Sequence, residues 1–327
     1  MMSIIEVKDL VKEFVVVRKK TGLAGAVRSL VMPDKKIVKG VDGLSFNIEQ
    51  GDIVGYIGPN GAGKSTTIKM LTGILHPTSG SIQVCGLSPQ KERKAVVRQL
   101  GVVFGQRTQL YWDLRLGETF ELLKRIYRIE DKKFKHTLDM LNDVLRIQDF
   151  IDTPVRQLSL GQRMRGDLAA SMIHEPSVLF LDEPTIGLDA DAKHAIRQFI
   201  KTMNRERRMT VFLTTHDLDD VEQLCSRLLV VNHGHIVEEG PLDTIVNKLA
   251  PSRLLVIELS EESQAPEHLR AQLVRQEGLK LWYQFDKAGI TAAELIADLS
   301  GKLPIRDLSV QEPDIEDAIR EVYRTTG

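Results

Sequence analysis

The chain has 327 residues, of which 42% are hydrophobic and 27% are charged. This mixture is typical of a globular protein with a substantial core, and the length allows for about two domains. The formal net charge of -1 argues against a protein that coats nucleic acid, because such proteins usually carry a basic excess.

Neither secretion nor membrane insertion is indicated by the sequence. The two cysteines, Cys85 and Cys225, form no metal-ligand spacing and no disulfide framework. We therefore interpret them as small buried residues of a protein in a reducing, cytoplasmic setting. Residues 1–10 lack the basic segment and apolar core of a signal peptide. No apolar run reaches about 18 residues, the minimum for a membrane-spanning helix, so a role at a membrane would require another chain.

Short apolar runs alternate with helical patterns over residues 1–249, which predicts an α/β domain with a parallel sheet. Two segments interrupt this pattern. Residues 15–36 are basic and weakly amphipathic, and they form either a solvated surface excursion or a contact with anionic lipid or a membrane partner. Helical periodicity dominates about residues 107–173, as in 120–127 and 134–145, which predicts a helical subdomain.

Four apolar runs are predicted to be buried strands: residues 53–57, 178–181, 210–214 and 227–231. The first three are followed directly by polar motifs. Because open α/β sheets bind ligands at the carboxyl ends of their strands, a site is expected there.

The pattern restarts over residues 250–327, which predicts a small accessory α/β domain. Its predicted strands are 254–259, 279–285 and 305–310. A helix over 291–299 begins with a capping box formed by Thr291 and Glu294, and a second helix is expected over 314–323. We find no nucleophile, metal cluster or phosphate loop in this segment, which favours a docking or regulatory role.

Residues 58–66 form the strongest chemical signal, Gly-Pro-Asn-Gly-Ala-Gly-Lys-Ser-Thr, between the strand 53–57 and a helical run. The glycines allow successive backbone N–H groups to face a phosphate, and the following helix adds a favourable dipole. Lys64 can reach the β- and γ-phosphates, and the Ser65 hydroxyl can coordinate Mg²⁺. The segment predicts a nucleoside triphosphate site.

A second signal is the pair of adjacent acids, Asp182 and Glu183, at the end of the strand 178–181. Asp182 would contribute an oxygen to the Mg²⁺ shell, and Glu183 would act as general base towards the attacking water. Alone, such a pair is equally compatible with a solvated turn. Together with the phosphate loop, it predicts hydrolysis of the bound nucleotide.

The third signal, Leu-Ser-Leu-Gly-Gln at residues 158–162, precedes a helical stretch. Ser159 and Gln162 have the spacing of a capping box, so a well-capped helix is one interpretation. The Ser159 hydroxyl, the Gly161 backbone and the helix N-terminus would also make a second anion site. One active site could then be assembled from both phosphate-binding segments.

With these motifs in this order, the chain resembles ABC-transporter nucleotide-binding subunits up to about residue 249. Residues 58–66 match Walker A, 178–183 match Walker B and 158–162 match the signature motif. Gln106 falls at the Q-loop position, Asp189 at the D-loop and His216 at the switch histidine. The resemblance implies a P-loop NTPase core with a mainly parallel sheet, an antiparallel N-terminal β part and the helical subdomain, followed by the small C-terminal α/β domain.

The resemblance also implies the ligands, ATP and Mg²⁺, and the residues that contact them. Catalytic roles fall to Glu183, His216 and Gln106, and Mg²⁺ ligands would be Ser65, Gln106 and Asp182. The residues expected to bind ATP are Phe14, Gly58, Asn60, Gly61, Ala62, Gly63, Lys64, Ser65, Thr66, Ser159, Gly161, Gln162 and Asp189.

Two positions depart from the family pattern. Leu160 replaces one of the two usual glycines of the signature motif, and that position loses its backbone freedom. We expect nucleotide binding to survive, because Ser159 and Gly161 are kept. The adenine-stacking residue is usually a tyrosine; here Phe14 is the candidate, with a core phenylalanine as the alternative.

The resemblance implies that two subunits, as a homodimer or a heterodimer with a second ATPase, enclose two ATP molecules head to tail. Separate membrane permeases would carry the cargo, with this chain at the cytoplasmic face of a bacterial inner membrane. The single cassette and small last domain are similar to exporters of the ABC-2, drug-resistance type. The alternatives are a soluble ABC-type ATPase acting on the ribosome or DNA, and a P-loop kinase or GTPase, which would leave residues 159–162 and His216 unexplained.

Overall fold

The computed structural model describes residues 3–18, 34–105, 107–249, 252–311 and 319. The chain forms two compact units, Met1–Pro241 and Leu242–Gly327. Residues 242–249 therefore group with the second unit, whereas the sequence pattern predicts them in the first domain. Gln106, residues 19–33 of the basic interruption and nearly all of the helix predicted over 314–323 lie outside the described residues.

The first unit contains nine described strands and seven described α-helices. The strands are β1 Ser3–Arg18, β2 Asp34–Glu49, β3 Ile53–Ile57, β4 Ser79–Val84, β5 Leu100–Phe104, β6 Val178–Asp182, β7 Thr210–Thr214, β8 Arg227–Asn232 and β9 His235–Pro241. The helices are α1 Lys64–Leu71, α2 Arg93–Val97, α3 Leu116–Tyr127, α4 Asp131–Leu145, α5 Leu160–Met172, α6 Ala190–Arg207 and α7 Leu218–Leu224.

A six-stranded sheet with the order β5-β6-β7-β3-β8-β9 organises this unit. Its first five strands run parallel, and β9 is antiparallel. Every residue of β3 and β7 is buried, since helices and a second sheet leave neither face to solvent. Tyr56, Phe180 and Phe212 pack together in the core beneath the ligand-binding edge. The four predicted buried strands are thereby confirmed.

A three-stranded antiparallel sheet, with the order β2-β1-β4, confirms the predicted N-terminal β part. Buried Ile5, Val7 and Leu10 of β1 join the core of the unit. The ladder between β1 and β2 continues as far as the pair Arg18 and Asp34. The interruption predicted over 15–36 therefore begins and ends inside regular strands.

The predicted helical subdomain contains α3, α4 and α5. Helices α3 and α4 begin earlier than the predicted helices 120–127 and 134–145, at Leu116 and Asp131, because their first turns contain few apolar residues and a hydrophobic pattern does not mark them. Both bury an apolar stripe that includes Phe120, Phe134 and Leu141. Helix α5 is mostly buried, and it begins at the signature segment.

The second unit contains α8 Leu242–Leu249, β10 Ser252–Leu259, β11 Ala271–Glu277, β12 Lys280–Asp286, α9 Ala292–Ser300 and β13 Ile305–Gln311. The strands form an antiparallel sheet with the order β11-β12-β10-β13. Leu255, Tyr283 and Leu295 belong to a separate core that the sheet shares with α9. The predicted capping box of Thr291 and Glu294 is confirmed; β11 was not predicted. Among the residues that the structure describes, no helix is long and apolar enough to cross a membrane.

Candidate functional site

The phosphate loop lies between β3 and α1, at the carboxyl edge of the six-stranded sheet. Gly63 has φ +100°, and a β-carbon there would lie 2.3 Å from the Gly40 carbonyl oxygen. Only glycine fits such a conformation and approach. A β-carbon on Gly58 would lie equally close, 2.3 Å, to the Val231 carbonyl oxygen. The fold therefore requires glycine at two positions of the motif.

Lys64 is 7% exposed and folds over its own loop. Its Nζ donates to the carbonyl oxygens of Gly58, at 2.6 Å, and Pro59, at 3.2 Å. Burial lowers the pKa of the Lys64 ammonium, and the negative charges of Glu183 and Asp182 act in the opposite direction. The ammonium is thus held at the loop, close to two carboxylates.

The remaining predicted positions of the loop differ in accessibility. Asn60, Gly61 and Ser65 are exposed, Thr66 is partly exposed and Ala62 is buried. Below them, Thr67 is buried, and its hydroxyl bonds to Tyr56 Oη, at 3.1 Å, and to the Gly63 carbonyl, at 3.1 Å. This pair was not singled out in the sequence, and it anchors the first turn of α1 to the core strand.

The two acids lie at the end of β6, as predicted. The Thr214 hydroxyl, on the neighbouring strand β7, donates to Asp182 Oδ1 at 2.6 Å. Glu183 has φ +56°, a costly conformation for a residue with a side chain, and such strain is characteristic of functional sites. The backbone N–H of Glu183 donates to the Thr214 carbonyl oxygen at 2.9 Å. These contacts hold both acids against β7.

Glu183 and His216 are adjacent in space although they are far apart in sequence. The His216 Nε2 lies 2.8 Å from Glu183 Oε1, within hydrogen-bonding distance. A cavity of about 320 Å³ is lined by Ser65, Asp182 and Glu183, together with Lys69, Ile74, Phe104, Gly105 and Arg107. The structure therefore brings the phosphate-loop serine and both acids to one cavity. Nothing in the sequence pattern singled out Lys69 or Arg107.

The signature segment forms the N-terminus of α5. Ser159 Oγ accepts from the Gln162 N–H at 3.2 Å, and Gln162 Oε1 accepts from the Ser159 N–H at 2.9 Å. The predicted capping box is therefore confirmed. Leu160 is 43% exposed, so its side chain does not fill the helix start.

Asp189 is the N-cap of α6, where its Oδ1 accepts from the Ala192 N–H at 2.8 Å. It lines a second cavity, of about 530 Å³, with Ser159, Gly161 and Gln162. The residues lining this cavity are entirely different from those lining the cavity of the acids. The described site residues thus form two groups within one chain. Ser65, Asp182 and Glu183 line one cavity, whereas Ser159, Gly161, Gln162 and Asp189 line another.

Phe14 lies on β1, paired with Val38 of β2. It is 38% exposed, so the alternative of a core phenylalanine is wrong. A β-carbon on Gly40 would lie 2.8 Å from the Phe14 ring and 3.8 Å from Thr66 Cγ2. The ring is therefore near the start of α1.

Comparison with known proteins gives one family. The model of the ABC transporter family matches residues 41–186. NatA, an ABC transporter ATP-binding protein of Bacillus subtilis, is 32% identical over 64% of this chain and 85% of its own length. The bacitracin transport ATP-binding protein BcrA of Bacillus licheniformis is 34% identical over 69% and 72%, respectively. The Nod factor export ATP-binding protein I of Burkholderia thailandensis is 37% identical over 65% and 69%.

The solved structures agree with the sequence relatives. A dimeric ATP-binding cassette in a post-hydrolysis state, bound to ADP and Pi, superposes with a TM-score of 0.61 at 25% identity, covering 73% of this chain and 98% of that one. An ATP-binding subunit of an ABC transporter superposes with a TM-score of 0.62 at 25% identity, over 75% and 93%. This chain belongs to the ATP-binding subunits of ABC transporters, and it is an ATPase whose hydrolysis of ATP is coupled to transport.

Proposed function

We propose that this chain energises export through a separate membrane permease, by closing as a dimer around ATP at the cytoplasmic face of the membrane. One observation carries the proposal: the phosphate-loop and acid group lies on one cavity and the Ser159 group on another. Each group offers only part of a nucleotide site. A second subunit, identical or homologous, would complete each site by supplying its Ser159 group.

In the proposed site, the loop from Gly58 to Thr66 binds the phosphates and Phe14 stacks on adenine. The exposed Phe14 ring near α1 supports the latter role. From the partner subunit, the equivalents of Ser159, Gly161, Gln162 and Asp189 approach the γ-phosphate end. Since Leu160 is exposed, its replacement of glycine leaves the capped helix start available for this contact.

The residues present fit a magnesium ion. The exposed Ser65 hydroxyl and the Asp182 carboxylate line one cavity, and Mg²⁺ prefers such oxygen ligands. Within the described part of the chain, no group of three or more His, Cys, Asp and Glu could hold a metal, so phosphate oxygens and Gln106 are expected to supplement the pair. Bound Mg²⁺ would neutralise charge on the phosphates.

Hydrolysis is assigned to Glu183 and His216. In the proposed step, a water oxygen attacks the γ-phosphorus and the bond to the β–γ bridging oxygen breaks, releasing ADP. Glu183 accepts a proton from that water, and His216, at 2.8 Å from its carboxylate, holds the carboxylate in position. Lys64 contributes positive charge next to the phosphates.

The test is Glu183→Gln, which keeps the shape of the side chain but removes the base. We expect ATP hydrolysis to fall by about 10²–10⁴-fold, the contribution of a general base. ATP binding should persist, and a closed dimer should accumulate, as measured by light scattering after size exclusion. The control is Glu222→Gln, which alters an exposed carboxylate on α7 and should hydrolyse ATP normally. Wild-type hydrolysis by Glu183→Gln would refute the role of Glu183, and an ATP-loaded variant that stays monomeric would refute the dimer.

Export is supported by the relative named for Nod factor export, and transport by the relative named for bacitracin transport. Copurification from detergent-solubilised membranes tests this partner. A bound integral membrane protein is the expected outcome, and no nucleic acid is expected. Recovery of ribosomes or DNA instead would favour the alternative, an ABC-type ATPase acting on one of these.

A further inference from the structure

Asp220, on α7, is a buried carboxylate that joins three segments of the first unit. It is 0% exposed. Its Oδ1 accepts from Arg197 Nε at 2.6 Å, and its Oδ2 accepts from the Thr215 hydroxyl at 3.1 Å and from the Thr185 hydroxyl. Both carboxylate oxygens are therefore bonded, as a buried charge requires.

The two threonines belong to the segments that carry the hydrolytic pair. Thr185 follows Glu183 by two residues, and Thr215 immediately precedes His216. Thr215 Oγ1 accepts from the Asp217 N–H at 3.0 Å, and the hydroxyl lies nearer to Asp220 Oδ2, at 3.1 Å, than to its other acceptor, the Asp217 carbonyl oxygen, at 3.4 Å. One carboxylate oxygen thus accepts from the turn after Glu183 and from the turn that contains His216.

The third segment is α6, whose N-cap is Asp189. Besides its bond to Asp220, Arg197 lies 3.3 Å from an Asp217 oxygen, and Lys193 Nζ lies 2.5 Å from the other. Burial acts to raise the pKa of Asp217, but the Lys193 hydrogen bond and the charges of Lys193 and Arg197 outweigh it, so the pKa is lowered. Helix α6 is therefore tied to two residues that follow His216, Asp217 and Asp220.

We propose that Asp220, held by Arg197, is a positioning residue that sets the geometry of Glu183 relative to His216 and links this pair to α6. Asp220 lines neither of the two site cavities and acts only through its neighbours. The inference rests on the proposed function, because it presumes that Glu183 and His216 act on the attacking water. It adds that the rate of hydrolysis depends on the position of α6, the helix capped by Asp189.

The first test is Asp220→Asn. An amide cannot accept hydrogen bonds on both sides, so its NH₂ group must face either Arg197 or the two threonine hydroxyls. Because a displacement of about 1 Å can cost on the order of 10²-fold in rate, we expect kcat to fall roughly 10- to 100-fold. The KM for ATP and the affinity for a fluorescent ATP analogue should stay within about threefold, since no phosphate contact is altered.

A matched control separates positioning from stability. Glu175 also accepts from a threonine, Thr137 at 2.7 Å, and pairs with Lys133 at 2.9 Å and Arg207 at 3.3 Å. It lines neither site cavity. Glu175→Gln should lower the thermal midpoint but leave kcat per folded molecule unchanged.

A second variant and a spectroscopic readout keep the test decisive if Asp220→Asn does not fold. Thr185→Val is nearly isosteric, keeps the pair of Arg197 and Asp220, and releases only the turn after Glu183; kcat should fall severalfold. The His216 imidazole resonances, assigned with His216→Ala, should shift in Asp220→Asn and in Thr185→Val but not in Glu175→Gln.

The outcomes distinguish the two hypotheses. The positioning role would be overturned if Thr185→Val kept the wild-type kcat per folded molecule and its His216 resonances did not move, with the same result in Asp220→Asn where that variant folds. Glu183 would remain the base in that case. If Glu183→Gln itself hydrolyses ATP at the wild-type rate, the proposed function fails instead.

Discussion

Asp167, on α5, provides a pH-dependent stability that can be calculated. It is 4% exposed, and its Oδ1 accepts from the Thr108 hydroxyl at 3.0 Å and the Gln109 N–H at 2.9 Å. Burial raises the pKa of Asp167 from its ordinary value of 3.8 to about 6, although these hydrogen bonds and the charge of Arg163 act to lower it. The carboxylate anchors the loop after residue 106 to the helix that begins at the signature segment.

The sign follows from proton linkage. Between the two pKa values the folded state binds the proton and the unfolded state does not, so stability falls as pH rises from about 4 to about 6 and then levels off. A difference of about two pKa units corresponds to roughly 3 kcal/mol in total. Of this, about half, on the order of 1–2 kcal/mol, should be lost between pH 5 and pH 8. Asp167→Asn removes the charge but keeps an acceptor, so its unfolding free energy should lack this loss.

The assay is urea unfolding at pH 5 and pH 8, followed by tryptophan fluorescence. The chain has two tryptophans, so a Trp282→Phe background leaves Trp112, which belongs to the same unit as Asp167. The unfolding free energy of the wild type minus that of Asp167→Asn should decrease by about 1–2 kcal/mol as pH rises. Asp139→Asn, at an exposed position of α4, is the control. A difference that does not vary with pH would refute the reasoning.

Two further predictions concern the site. Gly105→Ala places a β-carbon 2.1 Å from the Glu183 carbonyl oxygen, so it should destabilise the protein by about 1–3 kcal/mol in a thermal melt and slow ATP hydrolysis. The control, Gly301→Ala, meets nothing within 4 Å and should change neither stability nor activity. A Gly105→Ala variant as stable and active as the wild type would contradict the close approach. Lys64→Met removes a charge-assisted contact that contributes roughly 1.5–3 kcal/mol, so the affinity for a fluorescent ATP analogue should fall at least about tenfold. The control, Lys91→Met, changes an exposed lysine and should bind the analogue normally. Unchanged binding by Lys64→Met would argue against the phosphate role of the Lys64 ammonium.

The sequence by itself determined the local elements that carry the site. The strand 53–57 and the acids after 178–181 could be predicted because strands buried on both faces are continuous apolar runs. The helix starts at Ser159 and Thr291 could be predicted because both partners of a capping box lie within four consecutive residues. The order of the motifs then identified the family, since each motif is short and contiguous.

Other features were not predictable from such local patterns. Strand β11 was missed because nearly all of its residues are exposed on a sheet edge, which leaves no apolar alternation to detect. The continuation of β1 to Arg18 depends on its ladder with β2, and the accessibility of Phe14 depends on what packs around it. The earlier start of the second unit, at Leu242, likewise reflects contacts between distant segments.

Only the tertiary structure decided which functional groups meet. The strand order puts β7 beside β6, so Thr214 pairs with Asp182 and the turn after Thr214 places His216 next to Glu183. Thr185 and Arg197 both bond to the buried carboxylate of Asp220, which lies as many as 35 positions further along the chain, for the same reason. Sequence patterns record the preferences of neighbouring residues, whereas these contacts arise from the packing of elements that are distant along the chain.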